Sequence, residues 1–214
     1  MADLLMETQG KPTTPSSGQG ILFFDTTAKI RAFLNDTGRV EAYSNNAAIA
    51  NQTVNAADTY LTNSDLLIPS WGLQAKGTFL FQISASKTGA GTAAPIYSVR
   101  IGTNRTTADT ARLTLTGPAQ TAIADIGTLN ILITVRAVGG SAVLQGTAFW
   151  SHRGTAANTT TSGTGFANDS TGHVEGTSAS FDSSAMNGQY IGLSVNSGTS
   201  GVWTVTQVTA EANW

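Results

Sequence analysis

From residue 58 to the end of the chain, short runs of alternating apolar and polar residues are cut at intervals by clusters of Gly, Asn, Ser, Thr and Pro. Alternation at period two puts every second side chain on the same face of a strand, so each run buries one face and wets the other. Phe79, Phe81 and Ile83 share a face in the run 78–84, and Ile131, Ile133 and Val135 share one in 129–138. Further strands are expected at 58–61, 66–68 (stopped by Pro69), 96–101, 112–116 (closed by Gly117-Pro118), 142–152, 174–181, 190–195 and 202–211. Gly139-Gly140 reads as a hairpin turn, and 87–95, 102–109, 154–172 and 196–201 as loops. Residues 119–126 offer room for one helical turn and no more. These strands after residue 57, separated by turn clusters, predict an all-β fold: an antiparallel β-sandwich of jelly-roll type spanning 58–214.

The last run, 202–211, carries apolar groups on both faces. Val202 and Val208 fall on one side and Trp203 and Val205 on the other. That pattern predicts a strand covered on both sides, either central in the sandwich or pressed against another subunit.

Upstream of the body lie two different segments. Residues 1–19 read as an extended N-terminal arm, because Pro12 and Pro15 fix their own φ and bias their predecessors toward extended geometry. Such an arm is either a loose terminus or a tether lying on a neighbouring subunit, with Leu4, Leu5 and Met6 as its apolar anchor. Residues 20–57 read as a small β unit and linker. Strands at 21–24 and 29–34 are followed by an Asn35-Asp36-Thr37-Gly38 turn and a third strand at 39–43; residues 44–55 form an Asn/Ala-rich linker.

Only 11% of the residues are charged, against roughly 25% in an ordinary soluble domain. Thr, Ser, Ala, Gly and Asn take that place. A surface so weakly charged is kept in solution by dense hydroxyls, or is buried in an assembly. The formal net charge of −2, with basic residues scattered singly, offers no electrostatic drive toward nucleic acid. No apolar run approaches the roughly 20 residues of a membrane span. Met1 to Glu7 lacks the basic and apolar regions of a secretion signal. With no cysteine, disulfides, thiolate metal sites and cysteine nucleophiles are excluded.

Nothing in the chain spells out a reaction. His152 and His173 stand alone, outside any metal-ligand spacing. Thr161-Ser-Gly-Thr-Gly165 matches a nucleophile elbow in composition only, and no Gly-x-Ser-x-Gly is present. The glycine pairs at Gly89/Gly91 and Gly163/Gly165 lack the helix a phosphate loop needs. Asp58, Asp65, Asp109, Asp125 and Asp182 sit mostly at expected turns and strand ends, where local hydrogen bonding explains them better than the paired carboxylates of a glycosidase. The chain is therefore expected not to be an enzyme, with no catalytic, cofactor-binding or metal-binding residues. Of the four tryptophans, Trp71, which follows Pro69 at a strand end, is the one most suited to stand exposed as a glycan-stacking platform.

The segment Leu22-Phe-Phe-Asp-Thr-Thr-Ala-Lys29, followed by Asn35-Asp-Thr-Gly38, resembles one found near the start of tailed-bacteriophage virion proteins, both capsid decoration (cement) proteins and tail fibres. The stretches 57–69, 106–118 and 203–208 also resemble pieces of phage structural proteins encoded near capsid genes. The resemblance covers most of the chain and carries no catalytic motif. It implies a virion surface component, made in the host cytoplasm and placed on the capsid. Its partners would be the major capsid protein and itself, as a homotrimer, with no nucleic acid or membrane involved. On that reading Leu4, Leu5, Met6, Phe23 and Phe24 face the capsid. Two alternatives stand beside it: a tail-fibre or receptor-binding module, for which the opening segment would be an attachment element, and a carbohydrate-binding module using Trp71.

Overall fold

A computed structural model of the chain describes residues 50–154, 165–166 and 172–214, with backbone alone for 152–154, and the backbone of 20–25, 30–35, 40–41 and 43–45. The arm, with Leu4, Leu5 and Met6, lies outside the described residues. Phe23 and Phe24 are described only as strand backbone.

The first three strands are β1 (Gly20–Asp25), β2 (Ile30–Asn35) and β3 (Val40–Glu41), which form an antiparallel sheet of their own with Ile21 opposite Leu34 and Phe33 opposite Glu41. Short strands β4 (Tyr43–Asn45) and β5 (Gln52–Val54) follow. Then come β6 (Thr59–Tyr60), β7 (Leu66–Leu67), β8 (Thr78–Lys87), β9 (Ile96–Gly102), β10 (Thr110–Thr116), β11 (Asp125–Ala137), β12 (Val143–Gly154), β13 (Val174–Thr177), β14 (Tyr190–Asn196) and β15 (Trp203–Asn213). The only helical element among the described residues is a 3-10 turn at Gly139–Ser141, where the Gly-Gly pair predicts the β11–β12 hairpin. The room for a helical turn at 119–126 is not used: Asp125 already begins β11.

Two antiparallel sheets make the body. The longer-stranded sheet has the order β13-β12-β11-β8-β15-β4, with β5 also on β15; the other has β10-β9-β14-β6, with β7 also on β14. The chain crosses between the sheets after β5, β7, β8, β10, β13 and β14, so sequence neighbours are often not sheet neighbours. The fold is an all-β sandwich.

Between the sheets lies one core. Phe79, Phe81 and Ile83 of β8 and Leu129, Ile131, Ile133 and Val135 of β11 meet Tyr97, Val99 and Ile101 of β9 and Ile191, Leu193 and Val195 of β14, all buried. An aromatic cluster closes one part of it. Trp150 stacks on Phe166 with centroids 3.9 Å apart, and Trp203 stands edge-on to both at 5.3 and 5.2 Å. The indole N–H of Trp150 donates to the Tyr97 hydroxyl (2.9 Å) and that of Trp203 to Gln120 Oε1 (2.9 Å), so neither ring leaves a polar atom stranded. Phe166 belongs to a stretch that reads in sequence as a plain surface loop. Its aromatic ring is what the core takes from it.

Two expectations change. The segment 44–55 is not a plain linker: β4 and β5 pair with β15, setting Ala210 opposite Asn45 and Thr204 opposite Thr53. The last strand is not covered on both faces by its own chain. A bulge between Val205 and Gln207 shifts the alternation by one residue, so Trp203, Val205, Val208, Ala210 and Ala212 all point into the core. Val202, just before the strand, stays 38% exposed; the other apolar residues that read as two faces are one face interrupted.

Candidate functional site

The outer faces of the two sheets differ in chemistry. On the longer-stranded sheet the outward positions run Thr78, Leu80, Gln82, Ser84 and Ser86 on β8, Ile126, Thr128, Asn130, Leu132 and Thr134 on β11, and Val143, Gln145, Thr147, Phe149 and Ser151 on β12, with no charge among them. Ile126 is 59% exposed, Leu132 45% and Phe149 42%. Leu132 lies opposite Leu80, and the Gln82 amide donates to the Asn130 side-chain carbonyl at 2.9 Å beside them. Charge begins at the margins, at Glu175 on β13, Glu211 on β15, Arg136 at one end of β11 and Arg153 of β12, whose backbone lies opposite Ile126 at the other end.

On the other sheet the outer face is charged and partly roofed. Arg100 on β9 and Ser194 on β14 point outward, because their neighbours Val99, Ile101, Leu193 and Val195 fill the core. The hairpin 103–109 folds back over them. Arg100 uses its whole guanidinium: Nε donates to Ser194 Oγ (2.7 Å), Nη1 to the carbonyls of Thr107 (2.9 Å) and Asp109 (2.5 Å), and Nη2 to Asp58 Oδ2 (2.5 Å). Asp58 Oδ2 also accepts from Ser194 Oγ at 3.1 Å. One side chain thus ties β9, β14, the hairpin and the approach to β6 together.

The hairpin tip is held as firmly. Asp109, buried, accepts the backbone N–H groups of Asn104 (2.9 Å) and Arg105 (2.7 Å). Arg105 has a φ of +57°, a left-handed conformation that costs a bulky L-residue about 1–2 kcal/mol. Its guanidinium pairs with Asp65 at 2.6 Å and lies 4.8 Å from the centre of the Tyr190 ring. Between the hairpin and residues 58–65 opens a cleft of about 630 Å³, lined by Asp58, Tyr60, Asp65, Asn104, Arg105 and a set of threonines. Burial, and then the nearby Asp65 and Asp109 charges, push the Tyr60 hydroxyl well above its ordinary range. Tyr60 fits only because position 192 is glycine: a Cβ there would collide with the Tyr60 hydroxyl.

The aspartates divide. Asp109 and Asp182 act as the sequence predicts, accepting local N–H groups, whereas Asp58 and Asp65 pair with Arg100 of β9 and Arg105 of the 103–109 hairpin and face the cleft. Trp71 sits half-buried against the core in the turn after Pro69, where it lines a second, smaller cavity of about 380 Å³ with Ser70, Gln74, Ser183 and Asn187. Two of those polar groups are committed within the fold: Gln74 donates to the Trp71 and Leu73 carbonyls, and Ser183 Oγ accepts the Gly139 N–H. Trp150, Trp203 and Trp214 are core residues. His173 Nε2 lies 3.4 Å from Glu175 at the surface; the His152 side chain is not described. Among the described residues no group of three or more His, Asp or Glu residues is placed to hold a metal ion, and no helix is long and apolar enough to cross a membrane.

No protein-family model matches the chain, and no curated protein is significantly similar to it.

Proposed function

We propose that the chain is a structural virion protein, a capsid decoration subunit that self-associates, as a homotrimer, and binds the lattice of the major capsid protein. The observation that carries this reading is the outer face of β8, β11 and β12, uncharged at its centre, where Leu132 and Phe149 are left substantially exposed, with Ile126 exposed at its end. A sheet face normally ends in charged residues that keep it wet and apart from its copies. Here the centre is apolar, hydroxyl and amide, and the charge is at the rim, the distribution of a protein–protein interface. Three strands at ~4.8 Å spacing and about nine residues at ~3.4 Å each give a patch of roughly 14 by 30 Å, about half of the ~800 Å² per partner of a standard interface. In a cyclic trimer such a face meets a different patch of the next subunit, and an uncharged face does so without like-charge repulsion.

The low charge of the whole chain and the resemblance of its opening segment to phage virion proteins support the capsid placement. A subunit that binds only the assembled lattice stabilises it by its own binding free energy, and three tethers on one trimer raise the effective concentration of each. Leu4, Leu5, Met6, Phe23 and Phe24 are the proposed capsid-facing anchors. Two measurements test this. Sedimentation equilibrium of the purified chain is expected to give a trimer. Addition to undecorated capsids is expected to saturate at a fixed stoichiometry, and deletion of residues 1–19 to lower the occupancy. A monomer at tens of micromolar, or undiminished occupancy by the truncated chain, defeats the proposal.

A further inference from the structure

We propose that the cleft between the 103–109 hairpin and residues 58–65 binds a neutral saccharide. The cleft lies on the outer face of the β10-β9-β14-β6 sheet, across the sandwich from the uncharged face. Its volume of about 630 Å³ falls within the ~300–1,000 Å³ of small-molecule sites.

The polar groups on its walls are built and only half used. Asp58 and Asp65 each spend one oxygen, Oδ2, on an arginine, leaving Oδ1 of each free to accept among the described residues. Arg105 and the Asn104 amide supply donors on the facing wall, and the Tyr60 ring supplies an apolar surface. A sugar ring presents hydroxyls that donate and accept at once, together with a face of C–H groups, so it complements all three. Asp58 is paired with Arg100 and Asp65 with Arg105, so neither a free anion nor a cation meets an unmatched counter-charge there. Each carboxylate being already matched to a guanidinium, the walls favour a ligand without charge.

Rigidity supports the same assignment. Arg105 is half-exposed, yet its backbone is held in a left-handed conformation by two N–H bonds to Asp109 within the tip, and its side chain by an ion pair and an aromatic face. A half-exposed ion pair contributes little to stability, so strain of this kind at a cleft mouth is more economically explained by pre-positioning a donor for a ligand.

The test uses the full chain on an array of immobilised neutral and sialylated oligosaccharides, with each retained sugar then titrated free by calorimetry. Retention of neutral oligosaccharides is expected, with affinity falling at least tenfold in Arg105→Ala. Thr107→Trp, which fills the cleft without removing either ion pair, is expected to abolish it, and Trp71→Ala to leave it unchanged. Sedimentation of the same variants should give the oligomer of the parent chain, which separates this result from the assembly reading. The proposal is overturned by no retention, by retention of sialylated sugars alone, by loss in Trp71→Ala, or by full retention in Thr107→Trp.

Discussion

The two outer faces of this sandwich start from the same material, antiparallel strands rich in Thr and Ser, and end as opposites. The β8–β11–β12 face keeps its polar groups neutral and its apolar groups in the open. The β9–β14 face draws in five charged side chains, Asp58, Asp65, Arg100, Arg105 and Asp109, and matches each to a partner within the chain. The first face has unused apolar area and no charge to repel a neighbour, which suits a broad partner surface. The second has little apolar area but fixed donors and acceptors around a hollow, which suits a small polar ligand. A chain this poor in charge places its few charges where they are satisfied internally.

The comparison breaks first at the neutral face. Leu132→Lys with Phe149→Lys puts two like charges at its centre, and the association constant is expected to fall by about a hundredfold or more. Sedimentation equilibrium reads the loss. Circular dichroism should remain that of a β protein, because both side chains are exposed in the single chain. An oligomer that survives the double substitution places the interface elsewhere.

Next in size is Gly192→Val. The added side chain drives into the Tyr60 hydroxyl, and the expected cost is ~1–3 kcal/mol in urea unfolding. Thr128→Val on the neutral face, also a β-branched residue in mid-strand, should stay within ~0.5 kcal/mol. Equal costs at the two positions would mean that the β9–β14 face is not packed as described.

Asp58→Asn tests the charge matching. It leaves the Arg100 guanidinium, with 15% of its side chain exposed, without a counter-charge. Because Asp58 itself is 31% exposed, water screens part of the loss, and about 1–2 kcal/mol is expected.

The interior gives a pH signature. Burial raises the hydroxyl of Tyr97, between the sheets, above its ordinary value of about 10, and burial does the same to Tyr60 on the outer face. Below pH 10 both the folded and the unfolded chain hold these protons and the difference vanishes. Above it the unfolded chain ionises while the folded chain does not, so stability falls as pH rises, by up to ~1.4 kcal/mol per pH unit for each tyrosine. Tyr97→Phe should remove one proton's share of that slope between pH 10 and 12, in addition to a pH-independent cost from leaving the Trp150 N–H without its acceptor. An unchanged slope would contradict the burial of Tyr97.

The smallest effect is the sharpest for the cleft. Arg105→Gly relieves the left-handed strain and loses a half-exposed ion pair, two opposing terms of about 1 kcal/mol, so stability should stay within ~1 kcal/mol. A larger loss would make Arg105 a structural clamp of the hairpin.

Much of the strand map can be read from residues alone. Phe79, Phe81 and Ile83 point inward because alternation is a local property of a strand. The last strand is harder: its bulge after Val205 inverts the alternation, and a one-residue slip looks the same as a second apolar face. Phe166, buried on Trp150, gives no sign of its place beyond being the lone aromatic in a Thr/Gly stretch. The cleft is less legible still. Its walls, 58–65 and 104–107, come from separate stretches of the chain at no telling spacing, and Asp58 and Asp65 look like turn aspartates until Arg100 of β9 and Arg105 of the hairpin reach them.

By itself, then, the sequence determined that this chain is built of strands with one apolar side, that charge is scarce, and that no cysteine chemistry is open to it, since pattern and composition act over a few residues at a time. Tertiary structure alone decided which outer face stayed neutral, which aspartates met arginines, and where a hollow remained. Those outcomes depend on which strands cross between the sheets and lie side by side, and strand neighbours are chosen by packing over long separations along the chain.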